Sequence, residues 1–199
     1  MTSVKVRSAR TGDVPAIREL SHLYVGQGRL VPRSAVSYYE GIREFQVAEY
    51  HGRIVGCGSL HVYGPDLAEI RTLVVDPASQ GHGIGGALLD RLVTMATRIG
   101  VRRLFCLTFE TDFFARHGFT PMPQGDGEAI TPETFAQLLR SHDDDRVPEL
   151  PFDRLKPNTL GNMRMVRLLP APADDAQDSI TITFEFPGAD AADEAQLLV

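Results

Sequence analysis

Leu67-Ala68-Glu69-Ile70-Arg71-Thr72-Leu73-Val74-Val75-Asp76-Pro77-Ala78-Ser79-Gln80-Gly81-His82-Gly83-Ile84-Gly85-Gly86 changes its period halfway. Leu67 to Val75 is rich in branched residues and reads as a strand. From Gly83 to Arg98 the spacing becomes helical, with Ile84, Leu88, Leu92, Met95 and Ile99 expected on one apolar face. Between the two lie a proline-containing turn and a glycine-rich loop, Gln80 to Gly86. A helix start leaves backbone N–H groups free and carries partial positive charge, and glycines let a ligand approach that backbone. Such a loop is suited to a phosphate.

Three phosphate patterns compete for the loop. Gly81-x-Gly83-x-x-Gly86 has the letters of a dinucleotide fingerprint, with Glu110 ending the next strand where a ribose ligand is expected. A dinucleotide loop, however, starts almost directly after its strand, and here Asp76 to Gln80 intervene. The second pattern, a P-loop, needs Lys and then Ser or Thr, and Ala87 and Leu88 stand there instead. The third is a phosphate-binding helix start that follows an antiparallel sheet, and the flanking sequence decides for it.

Upstream, Val4 to Ser8 alternates like a strand, and Asp13 is placed to cap a helix from Val14 to about Tyr24, with Pro15 in its first turn. Gly26, Gly28 and Pro32 mark an irregular segment before a short helix over Ser34 to Arg43. Phe45 to Tyr50 and Arg53 to Tyr63 read as strands joined by the tight turn His51-Gly52, and Gly64-Pro65-Asp66 turns the chain into Leu67 to Val75. These short connections make an antiparallel meander. Downstream come a buried strand at Arg103 to Leu107, a short helix near Asp112 to His117 stopped by Gly118, a helix at Thr131 to Arg140, and a last strand at Met163 to Leu169.

The ordered set, with Gln80-Gly81-His82-Gly83-Ile84-Gly85 opening the helix and Phe113 to Phe119 closing the domain, resembles the GNAT acetyltransferase superfamily. The resemblance implies an α/β (α+β) fold, a mixed and mostly antiparallel central sheet flanked by helices, over residues 1–169. It implies acetyl-CoA as cosubstrate, with the backbone of Leu73, Val74 and Val75 along the pantetheine. The amides of Gln80, Gly81, His82, Gly83, Ile84, Gly85 and Gly86 would lie on the pyrophosphate. It makes Glu69 the general base. Arg71, two residues on, shares its face of the strand, and a carboxylate beside a guanidinium suits an amino-acid acceptor; the bland alternative for the pair is a surface salt bridge. Where the superfamily often carries a tyrosine acid, Phe114 stands, so Thr111 becomes the substitute acid.

A narrower resemblance, to the acetyltransferase domain of N-acetylglutamate synthases, rests on Gly28-Arg29-Leu30-Val31-Pro32-Arg33-Ser34, Ile42 to Tyr50, Gly56 to Leu60 and Phe105 to Thr108. It implies that Arg33 binds a substrate carboxylate, a role a planar guanidinium suits, and that Asn158 and Arg164 complete the acceptor site. Gly161 stands where a basic residue is expected, which opens the site to glutamine beside glutamate. The chain resembles the short form, which lacks a kinase domain. The implied activity is acetylation of the α-amine of L-glutamate, the first step of arginine biosynthesis, with L-arginine as feedback inhibitor. The rivals are a GNAT enzyme acting on protein N-termini or another small amine, and a non-catalytic acyl-CoA sensor.

Composition narrows the remaining classes. The chain has 199 residues, 43% hydrophobic, with no apolar run long enough to span a bilayer and no signal pattern at Met1 to Lys5. A cytoplasmic protein is expected. Cys57 and Cys106 sit in apolar runs and read as reduced core thiols. The histidines are scattered, so no metal is expected. Of the net charge of −6, seven acids from Asp174 to Glu194 supply −7, which leaves +1 elsewhere. Without a basic stripe, nucleic acid is not an expected partner. The acidic segment 170–199 reads as a flexible tail with one strand-like run at Ile180 to Phe186. A homodimer is compatible with the sequence.

Overall fold

The computed structural model of the chain describes residues 3–121 and 162–171. The expected helix at Thr131 to Arg140, Asn158, Gly161 and all but the first two residues of the acidic tail lie outside that range. Seven strands form one sheet: β1 (Lys5–Ser8), β2 (Phe45–Tyr50), β3 (Arg53–Val62), β4 (Leu67–Val75), β5 (Arg103–Thr108), β6 (Thr120–Pro121) and β7 (Met163–Leu168), in the order β1-β2-β3-β4-β5-β7-β6. The β4–β5 pair is parallel and all others are antiparallel. A parallel neighbour needs a crossover, here the helix α3 (Ile84–Arg98). On the opposite face lie α1 (Val14–Val25) and α2 (Ala35–Glu40), and α4 (Thr111–Arg116) follows β5.

The core explains which residues face which layer. Leu60, Ala68, Ile70, Leu104, Cys106 and Met165 pack against Leu89, Leu92 and Ala96 of α3. Phe45, Val47, Cys57 and Val74 pack against Val14, Ile17, Leu20 and Tyr24 of α1 and Tyr38 of α2. Gly58 has a packing reason: a Cβ there would lie 2.9 Å from Leu92 Cδ1 and 3.0 Å from Leu73 Cδ1. Both cysteines are free and buried, and burial pushes the Cys57 thiol up to about 12.

Two irregularities shape the end of β4. The β3–β4 register runs Ser59 opposite Arg71 and then Cys57 opposite Val74, so β4 holds one extra residue. Thr72 absorbs this bulge at φ 52, a left-handed conformation that a β-branched residue adopts only under strain. Then β4 and β5 part: pairing runs from Leu67 with Arg103 to Ile70 with Cys106 and stops, although both strands continue. The edge of Arg71 to Val75 towards β5 is therefore open.

Three details differ from the sequence reading. Asp13 stands before α1 but its side chain does not cap it: both carboxylate oxygens bond Arg7, at 2.7 and 3.0 Å, and Oδ2 also accepts from Arg10 N. A guanidinium outcompetes a helix amide for the carboxylate. Ile99, expected on the apolar face, is 58% exposed, because the helix ends at Arg98 and the chain turns at Gly100, φ 88. The helix expected over Ser34 to Arg43 stops at Glu40; Gly41 breaks it and Ile42–Glu44 forms a 3₁₀ turn.

Candidate active site

On the donor side, the chain leaves β4 through a 3₁₀ turn, Pro77–Ser79, whose start is capped by Asp76 Oδ1 accepting from Ala78 N at 3.0 Å. Gly81 (φ 79) and Gly83 (φ 77) then take left-handed backbone that glycine adopts without strain. Gly83 is the N-cap of α3 and no side chain caps that end. The first helical bond is Ala87 N to Gly83 O, at 3.0 Å. Among the described residues nothing accepts from the amides of Ile84, Gly85 and Gly86, so they remain available to an anion. A pyrophosphate beside these amides, with an extended arm along the open edge of Arg71 to Val75, fits the residues present.

The loop is tied from behind. Tyr24 donates its hydroxyl to Val75 O, and Gln80 Nε2 donates to Tyr24 Oη at 2.8 Å. Gln80 thus commits its Nε2 to α1. His117 packs over the helix start, its Nε2 3.1 Å from where a Cβ on Gly86 would lie, with its Nδ1 donating to Phe113 O at 2.9 Å.

The face of the sheet away from α3 carries a band of polar and aromatic side chains on β3, β4 and β5. His61 is opposite Glu69, Ser59 opposite Arg71, and Phe105 beside Glu69, so these residues share one face. Glu69 is 7% exposed, which removes the surface salt bridge as a description of its pair with Arg71. Its Oε2 accepts from Tyr63 Oη at 2.7 Å and from Arg71 Nε at 2.8 Å, while Arg71 Nη2 donates to the Tyr63 hydroxyl. Burial draws Arg71 down but the charge of Glu69 prevails and raises it. Burial, reinforced by Glu69, holds the Tyr63 phenol well above its usual range. Arg164 reaches the same field from β7: burial draws it below the usual arginine range, with Glu69 and Tyr63 opposing.

Arg33 joins this band from the loop before α2. Its guanidinium lies 5.4 Å from the Tyr38 ring, and its Nη1 is buried without a hydrogen-bond partner. Beyond Gly41 stands Glu44, whose Oε1 is 2.9 Å from His61 Nδ1. The structure therefore brings Arg33, Glu69, Arg71 and Arg164 onto one side of the sheet. Thr111 begins α4 past the parting of β4 and β5, and Phe114 is buried against Phe119, with ring centroids 5.2 Å apart. Glu110, the ribose ligand of the dinucleotide pattern, pairs with Arg29. Sequence reasoning missed Tyr63, Glu44, His61 and Tyr24; the one signal at hand was an aromatic residue directly before the Gly64 turn.

Among the described residues no helix is long and apolar enough to cross a membrane, and no cluster of His, Cys, Asp and Glu could hold a metal ion. The profile of the Acetyltransferase (GNAT) family matches residues 17–119. The amino-acid acetyltransferase of Mycobacterium tuberculosis is 49% identical over 82% of this chain and 94% of its own length. Rv2747 from Mycobacterium tuberculosis, solved in complex with CoA, superposes with a TM-score of 0.73 at 48% identity, covering 83% of this chain and 99% of that one. N-acetylglutamate synthase from Neisseria gonorrhoeae, solved with CoA and N-acetyl-glutamate, is 30% identical with a TM-score of 0.66, covering 85% of this chain and 36% of that one. Its complex with CoA and L-arginine gives a TM-score of 0.60 over 34% of that chain.

Proposed function

The chain belongs to the acetyltransferase (GNAT) family and is an acetyl-CoA-dependent N-acetyltransferase, and from that premise we propose that its acceptor is the α-amine of L-glutamate, with L-glutamine accepted beside it. One observation carries the reading: a buried carboxylate, Glu69, is hydrogen-bonded by Arg71 and lies in the field of Arg164, while Arg33 stands beside Tyr38 with a buried, unpartnered Nη1, on the face opposite the donor helix. A base beside cations suits an amine that bears carboxylates. The similarity to amino-acid acetyltransferases supports the same reading.

The chemical steps can be assigned to residues. Arg33, with its buried and unpartnered Nη1, takes a carboxylate of the acceptor. Arg71 has already placed two of its nitrogens on Glu69 and Tyr63, so it serves the carboxylate base more than the substrate. Glu69 removes one proton from the acceptor ammonium, directly or through one water. The free amine attacks the thioester carbonyl carbon; the C–N bond forms, the C–S bond breaks, and CoA leaves as thiolate. The second amine proton passes to that thiolate, with the Thr111 hydroxyl at the head of α4 as the acid. In net terms the ammonium and thioester give the amide, CoA thiol and one proton.

The second reading is an enzyme of the same family acting on protein N-termini or another small amine. An acceptor screen over amino acids, simple amines and N-terminal peptides, read by CoA release, separates the two. We expect turnover of glutamate and glutamine. CoA release with simple amines or N-terminal peptides and none with glutamate or glutamine overturns the proposal. L-arginine as an inhibitor belongs to the same reading; titrating it into the assay tests it.

A further inference from the structure

We propose that Tyr63 positions the base: together with Arg71 it occupies Glu69 Oε2 and leaves Oε1 as the oxygen that takes the acceptor's proton. The proposal rests on the reading of Glu69 as base. Both hydrogen bonds to the carboxylate, from Tyr63 Oη at 2.7 Å and from Arg71 Nε at 2.8 Å, end on Oε2. Oε1 takes no hydrogen bond among the described residues, and it is not among the buried side-chain atoms left without a partner. The two oxygens are therefore unlike: one is saturated by donors, the other is open.

Tyr63 is built to hold this position. The Gly64-Pro65-Asp66 turn folds it back, with Tyr63 N donating to Leu67 O at 3.0 Å, which sets the ring beside residue 69. The ring stacks on Phe105 with centroids 5.9 Å apart, takes the edge of His61 at 4.7 Å, and lies under the Arg71 guanidinium at 5.1 Å. His61 is itself fixed by Glu44 at 2.9 Å. Burial and the neighbouring Glu69 charge keep the phenol protonated, so at neutral pH it acts as a donor. Its O–H is directed at the carboxylate, which makes Tyr63 a positioning residue and not the acid for the thiolate. A carboxylate free to rotate would present either oxygen to the amine, whereas here one orientation is selected before the acceptor arrives.

The test is a double-mutant cycle of Tyr63→Phe and Glu69→Gln, read as kcat, as KM for acetyl-CoA and as melting temperature, with the best acceptor from the screen. Tyr63→Phe alone should lower kcat about 10-fold, the scale of one charge-assisted hydrogen bond, with KM for acetyl-CoA and the melting temperature nearly unchanged. In the Glu69→Gln background the same change should have no further effect, because the carboxylate it serves is gone. Collapse of Glu69→Gln with wild-type kcat in Tyr63→Phe overturns the role of Tyr63 and leaves the base standing. An additive effect in the double variant, or a loss confined to acetyl-CoA binding or stability, also overturns it. Near-normal kcat in Glu69→Gln removes the base and the positioning role together.

Discussion

Between Val75 and Gly86 the protein offers its ligand backbone; between Tyr63 and Arg71 it offers side chains. The donor half consists of uncapped amides at the start of α3 and an unpaired strand edge, held by glycines at φ 79 and φ 77. The proposed acceptor half consists of a carboxylate, a phenol and guanidinium groups drawn from β4, β7, the β3–β4 turn and the loop before α2. Phosphates are common to every reaction that uses this cosubstrate, and main-chain geometry suffices for them. Selecting an amine and removing its proton needs functional groups that only side chains carry. The two halves should therefore fail differently.

The largest effect is expected at the proposed base. Glu69→Gln should lower kcat by about 10²- to 10⁴-fold while KM for acetyl-CoA stays near wild type; a matching loss of acetyl-CoA affinity would break the division between the halves. Arg33→Ala comes next. Loss of a charge-assisted contact to a carboxylate, about 1.5–3 kcal/mol, should raise KM for the amino acid roughly 10- to 100-fold and spare acetyl-CoA, both measured by steady-state kinetics.

Donor-side changes should be smaller and of opposite selectivity. Nothing lies within 4 Å of a Cβ on Gly83, so only its backbone conformation is at issue. Gly83→Val should cost about 1–3 kcal/mol of local strain, seen as a rise of about 10-fold in KM for acetyl-CoA with acceptor KM unaffected, whereas Gly83→Asn, which tolerates left-handed backbone, should lie close to wild type. Tyr24→Phe is the mildest: it removes the bond to Val75 O and the acceptor for Gln80 Nε2, about 0.5–1.5 kcal/mol. A few-fold weaker acetyl-CoA binding by calorimetry is expected.

The same division decides what is legible in the sequence. The donor half is local: a strand, a proline turn and spaced glycines succeed one another between residues 67 and 86, so the order of letters carries the geometry. Glu69 and Arg71 are legible as a pair because a strand places alternate residues on one face. Tyr63 is not, since it reaches Glu69 across a turn, and no periodicity links residues six apart. Glu44 and His61 meet only after α2 has been broken at Gly41. The exposure of Ile99 and the diversion of Asp13 to Arg7 have the same origin: local spacing nominates a partner, and a tertiary neighbour or a chain reversal overrides it.

The extra residue in β4 works like a half-step in a ruler. Before Thr72 the odd-numbered side chains, Glu69 and Arg71, point to the face away from α3; after it the even-numbered Val74 does, and Leu73 and Val75 turn towards α3. One strand thus changes phase where its two tasks meet. Deleting a single residue here would not merely shorten β4. It would bring the strand back into phase and leave either Glu69 or the loop facing the wrong partner, so length at this point is under tighter constraint than identity.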